Sequence, residues 1–161
     1  MAIEWETQLA ELLSELSAAQ DDLLDVLTEK RRWMVAADAG QMADLEQREQ
    51  KVIAALQACE QKRSGLLEQA AAQGLPADSI RSLTTSLPGG KADNLDKQVK
   101  AASHRARLLQ HHSLTNWVLA QQTLLHLSQM LEIIATGGRE RPTYSKRESG
   151  AATGSLVDRA A

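Results

Sequence analysis

From Trp5 the apolar side chains recur at Leu9, Leu12, Leu16, Ala19, Leu23 and Leu27. These steps of four and three keep one stripe on one face of a helix and predict a first helix over 3–36. Asp38-Ala39-Gly40-Gln41 interrupts the pattern, and Asp38 followed three positions later by Gln41 has the form of a capping box that opens a second helix. The second stripe reads Met42, Leu45, Val52, Leu56, Cys59 and Leu66, with Arg48, Glu49, Lys51, Lys62 and Arg63 largely outside it. Gly74 offers a C-terminal stop, so this helix is expected over 39–73. Two helices of about 35 residues would each span roughly 50 Å. Joined by a tight turn they form an antiparallel hairpin, in which Cys59 reads as a small filler of the seam.

Between Gly74 and Gly90 breakers stand at both ends, yet Ile80, Leu83 and Leu87 have the spacing of a short helix near 77–86 that lies on the hairpin. From Ala92 onward a long helix over 92–136 is expected, its stripe running through Leu95, Val99, Ala102, Ala106, Leu109, Ser113, Asn116, Ala120, Thr123, Leu127, Met130 and Ile134. Its halves differ. The first is thin in large apolar groups and carries Lys97, Lys100, Arg105 and Arg107, whereas Trp117–Ala135 holds 12 apolar residues in 19. Those reach well beyond one face, and a surface helix needs an apolar arc of little more than about 100°. The excess must be covered by other parts of the same bundle or by another molecule. Gly137-Gly138 ends the helix. The polar, basic segment that follows has no usable period, so 1–136 is expected as a helical domain and 137–161 as a flexible tail.

Composition supports an all-α fold. Ala (25) and Leu (24) dominate a chain of 161 residues, against 11 Val plus Ile and no Phe, whereas strands draw on β-branched and aromatic side chains. A hydrophobic content of 43% suffices for the core of one domain. The start Met-Ala-Ile-Glu-Trp-Glu has neither a basic leader nor an apolar run, and no stretch approaches the ~18 apolar residues of a membrane span. A cytoplasmic protein without stable membrane insertion is expected, and the single cysteine fits a reducing compartment. Eight acids and no base occupy residues 1–29 before Lys30-Arg31-Arg32, an order that suits a helix dipole and a solvated outer face.

Catalytic chemistry finds no constellation. His104, His111, His112 and His126 lie on the long helix with no Glu three residues before any of them, and no Cys-based cluster is available, so neither metal nor cofactor is expected. Gly89-Gly90-Lys91 lacks the strand and spacing of a phosphate loop. Net charge is −3, and the basic stretch Lys97–Arg107 is short and without interleaved aromatics, so a solvated face is preferred to a nucleic-acid site. Contact remains as the function: a chaperone or adaptor, or alternatively a structural coiled-coil protein that self-associates through the same apolar surplus.

Several segments taken in order resemble the FlgN family of flagellar type III export chaperones. They are the Leu-rich first helix; the restart Asp38-Ala-Gly-Gln-Met-Ala-Asp-Leu; Arg63-Ser-Gly-Leu-Leu; Gly74-Leu75-Pro76; Asn116-Trp-Val-Leu through Leu124 and Leu131; and Thr143-Tyr144 in a Gly-containing tail. Members often carry two asparagines three apart on the long helix, and here Ser113 precedes Asn116. The resemblance implies an all-helical cytoplasmic chaperone, not an enzyme. Its partners would be hook-associated proteins 1 and 3, held by their terminal helices, and the flagellar export apparatus. It further implies that the C-terminal region takes the client, for which Asn116, Leu119, Leu124, Leu127, Leu131, Ile134 and Tyr144 are the candidates.

Overall fold

Four α-helices and no strand make up the residues that the computed structural model describes, 2–88 and 92–137: α1 Ala2–Ala36, α2 Ala39–Ala72, α3 Ile80–Ser86 and α4 Ala92–Thr136. The all-α expectation holds, with the boundaries of the long helices within a residue of those read from the stripes. The chain divides into a unit Met1–Leu124, which contains the first three helices and most of α4, and a second unit from Leu125, described only through the last turns of α4 and Gly137. The tail and Tyr144 lie outside the described residues. None of the described helices is long and apolar enough to cross a membrane.

Within the first unit, α1 buries Trp5, Leu9, Leu12, Ala19 and Leu27 as its stripe requires, and Leu16 and Leu23 are half-buried. It also buries Leu13, Gln20 and Val26 on an adjoining face, because α1 meets two long helices rather than one. Against α2 it runs antiparallel, held in register by Lys62 to Glu15 at 2.6 Å, Arg48 to Glu29 at 3.0 Å and Lys30 to Glu49 at 2.7 Å. Ion pairs so exposed add little stability individually, but they penalise a shifted register. The acids of α1 and its Lys30 therefore flank the seam. The last turn of α1 holds no base, so the expected dipole match is absent there.

The turn between α1 and α2 consists of Ala37 and Asp38. Ala37 sits at φ 53°, its N–H donates to the Met34 carbonyl at 3.2 Å, and the Asp38 N–H reaches back to the Trp33 carbonyl at 3.1 Å. This is the Schellman pattern that satisfies orphan carbonyls at a helix end. Asp38 then caps α2, its Oδ1 accepting from the Gln41 N–H at 3.1 Å. Only this half of the expected capping box forms, since the Asp38 N–H that Gln41 would bond is already committed to Trp33.

The short helix starts at Ile80 rather than 77, because Ser79 is extended (φ −160°, ψ 157°) and closes a full capping box with Ser82. Ile80, Leu83 and Leu87 are buried in one cluster with Trp5, Leu9, Leu12, Leu13, Cys59, Leu66, Ala70 and Leu95. Cys59 is a packing residue, and burial pushes its thiol pKa up, away from the reactive thiolate.

Candidate protein-binding face of α4

The first half of α4 is fastened to α1 by side chains that the apolar pattern does not single out. Gln20 Nε2 donates to the Ala102 carbonyl at 3.1 Å, and Arg105 bonds Ser17 Oγ at 3.2 Å and Asp21 at 2.8 Å. Further along, Asn116 Nδ2 donates to the Leu27 carbonyl at 2.8 Å and Asn116 Oδ1 accepts from Arg31 Nε at 3.1 Å. Positions on both helices rise together, so α4 runs parallel to α1. Leu95 and Ala102 are buried and Val99 and Leu109 half-buried along this contact. After Arg31 only five residues of α1 remain, ending with Ala36, so α1 has residues to offer α4 only as far as about position 121.

Beyond that point the composition of α4 becomes more apolar while its cover ends. Every described residue from Gln121 to Gly137 is exposed. Among the candidates, Leu124, Leu127 (49% exposed), Leu131 and Ile134 (74%) are open to solvent, and Leu119 is half-buried. Asn116, only 6% exposed, has both ends of its amide engaged with α1. Its place is at the border of the exposed face, where it seats α4 on the hairpin. Trp117 (60% exposed), Leu125, Met130 and Ile133 stand in the open face too, although they were not among the candidates. Their signal was the width of the apolar arc, which a one-stripe reading undercounts.

The chemistry of this face suits a protein partner. Leu, Ile, Trp and Met side chains alternate with Gln121, Gln122, Thr123, Ser128 and Gln129, and Glu132 is the one carboxylate. A partner that covers it gains the burial of large side chains, about 1.5–3 kcal/mol for each Leu or Ile fully covered, and desolvates almost no charge. Of the histidines only His126 lies within it, exposed. His112 sits 3.4 Å from Arg31, His111 and His112 meet edge to face, and among the described residues no three His, Cys, Asp or Glu side chains are placed to hold a metal ion.

A groove of about 430 Å³ lies elsewhere in the first unit, between α1, α2 and the start of α4, lined by Leu16, Gln20, Leu56, Cys59, Val99 and Ala106. Gln20 Oε1 is buried there without a protein partner.

The family model described as FlgN protein matches residues 1–150. No curated protein and no solved structure matches the chain. The matched span takes in the whole hairpin, the short helix and the full open face of α4, and the chain belongs to the FlgN family, a family of flagellar export chaperones.

Proposed function

We propose that this chain is a cytoplasmic chaperone for hook-associated proteins 1 and 3, capturing a terminal helical segment of each, preventing premature assembly and delivering them to the flagellar type III export apparatus. The observation that carries this reading is the uncovered apolar face of α4, from Trp117 to Ile134, in a chain of this family. An amphipathic client helix lies along that face and covers Leu119, Leu124, Leu127, Leu131 and Ile134. Asn116 holds the helix in place at one end of the site, and Tyr144, in the segment 137–161, adds a contact to the client. The hairpin is the scaffold. In this role the protein carries no cofactor and catalyses no reaction.

The test is capture of a C-terminal fragment of a junction protein by the full chain, by Leu127→Asp/Leu131→Asp and by a chain lacking 138–161. Loss of two buried Leu contacts and burial of two charges should weaken binding by at least ~100-fold. The truncated chain should bind more weakly than the parent at unchanged helicity. Circular dichroism accompanies each measurement. A folded double variant that binds as tightly as the parent overturns the assignment.

A further inference from the structure

The groove between α1, α2 and the start of α4 continues a trough that α3 fills at one end. Ile80, Leu83 and Leu87 of α3 pack into the cluster shared by α1 and α2, Arg81 lies 4.0 Å from Asp96 of α4, and Ile80 lines the groove itself. Past Ile80 no helix among the described residues takes up this line. Leu16 and Gln20 of α1, Leu56 of α2, and Ser103 and Ala106 of α4 line the vacant part. Along α2 the same face goes on through Ile53, Glu49, Glu46 and Met42, at steps of 3, 4, 3 and 4 from Leu56. Those four, with Lys30 of α1, line a second hollow of about 430 Å³. From Leu56 to Met42 the path is about 21 Å long, the length of four helical turns.

We infer that a helix of another protein lies in this trough, in line with α3, at a partner site separate from the open face of α4. α3 shows what fits there. Its buried residues are Ile80, Leu83, Thr84 and, at its cap, Leu87: three large aliphatic side chains and one small hydroxyl. On the α4 wall Ser103 and Ala106 are exposed, and side chains so small let a second helix approach closely.

Gln20 sets the polar requirement. It is 4% exposed, its Nε2 is engaged by the Ala102 carbonyl, and its Oε1 is buried without a partner among the described residues. A buried acceptor left unpaired is costly, so the occupant brings a hydroxyl or amide N–H to it. Charge sets the far end. Glu49 is paired with Lys30 at 2.7 Å, whereas Glu46 is exposed and has no ion pair among the described residues, so a Lys or Arg of the occupant belongs beside it. The partner is therefore an amphipathic helix with Leu or Ile at steps of three and four, a Ser, Thr, Asn or Gln among them, and a base at the end next to Glu46. The site is built from the hairpin and the start of α4 alone, so it stands whichever protein the open face of α4 holds.

The experiment titrates the full chain with a labelled synthetic helix of about 18 residues that carries a Leu stripe, one Thr within it and Lys at both ends, read by fluorescence anisotropy. Binding should saturate at one peptide per chain. Ala106→Trp fills the groove from an exposed position, so it should weaken binding by ~10-fold or more while helicity and melting stay as in the parent. Glu46→Lys should weaken it by ~3-fold or more, with the larger effect at low salt. Leu127→Asp/Leu131→Asp should leave it unchanged, which separates this site from the one in the proposed function. Absence of binding, a folded Ala106→Trp chain that binds like the parent, or loss of binding in the Leu127→Asp/Leu131→Asp chain would each overturn the inference. So would a severalfold gain in affinity on removal of 138–161, which would make the chain's own tail the occupant, or a dimer that Ala106→Trp dissolves, which would make it a second copy.

Discussion

Asn116 and Leu27 lie 89 positions apart in sequence and are joined by a hydrogen bond of 2.8 Å from the Asn116 amide to the Leu27 carbonyl. The same amide accepts from Arg31, so one buried polar side chain sets where α4 stands along α1. A register shift of one residue would leave a buried amide without partners, and that loss costs about 1–3 kcal/mol.

Asn116→Ala should therefore lower the stability of the fold by about 1–3 kcal/mol, read as a shift of the urea midpoint at unchanged slope. Ser113→Ala, at an exposed neighbouring position on α4, should move the midpoint by only a few tenths. Equal shifts for the two would show that the Asn116 contacts add nothing.

The buried and open halves of the apolar content should respond in opposite ways. Leu9 has no exposure and sits in the cluster beneath α3, so Leu9→Ala should cost about 2–5 kcal/mol. Leu131→Ala removes an equally large side chain from the open face and should leave the melting temperature within a degree or two. A large destabilisation from Leu131→Ala would mean that the face is covered within the chain.

The stripes of α1 and α2 were legible because burial in a helical hairpin repeats every three to four residues and Leu has no other reason to keep that step. Gly74 and the excess of apolar residues after Trp117 were legible for similar local reasons. Asn116 was singled out through the family pattern as a contact for the client, while its place in the fold depends on Leu27 and Arg31, which no local spacing connects to it. The charges of α1 likewise look like a solvated face until α2 and α4 are docked, when Glu15, Asp21, Glu29 and Lys30 turn out to be cross-helix partners. Asp38 and Gln41 have the spacing of a reciprocal cap, and the missing half follows from the turn before them, where Trp33 takes the Asp38 N–H.

Acid should weaken the junction of α3 and α4 through Asp96. Its hydrogen bond to Lys100 at 2.6 Å, with Arg81 at 4.0 Å, holds the carboxyl below its ordinary value of 3.8. A carboxylate depressed on folding adds stability that is present above the unfolded value and is lost as pH falls through the folded one. The gap in melting temperature between the parent and Asp96→Asn should be open at neutral pH and close in acid below 3.8. Lys62 has the opposite sign: its bond to Glu15 raises its pKa above 10.5, so its contribution persists below that value and fades only as the pH rises further. A gap for Asp96→Asn that stays constant down to pH ~2 would remove Asp96 from the acid limb.

The two helix ends of the hairpin offer a matched pair of substitutions. At the end of α2, Gly74 takes φ +73°, its N–H bonds the Ala71 carbonyl at 3.0 Å and the Leu75 N–H bonds the Ala70 carbonyl at 2.9 Å. At the end of α1 the same pattern is built with Ala37 at φ 53°. An L-residue in this left-handed region carries a steric cost of about 1 kcal/mol that glycine does not, because its Cβ crowds the neighbouring carbonyl. Ala37 is exposed and outside the helices, so replacing it sacrifices no core packing. Ala37→Gly should thus raise stability, by somewhat less than 1 kcal/mol once the freer unfolded chain is counted. Gly74→Ala should lower it by about 1 kcal/mol through the backbone alone, as a Cβ there meets nothing within 4 Å. Both effects should add in the double variant, given that the two ends share no partner. A destabilised Ala37→Gly variant would show that the Ala37 methyl contributes more than its backbone conformation costs.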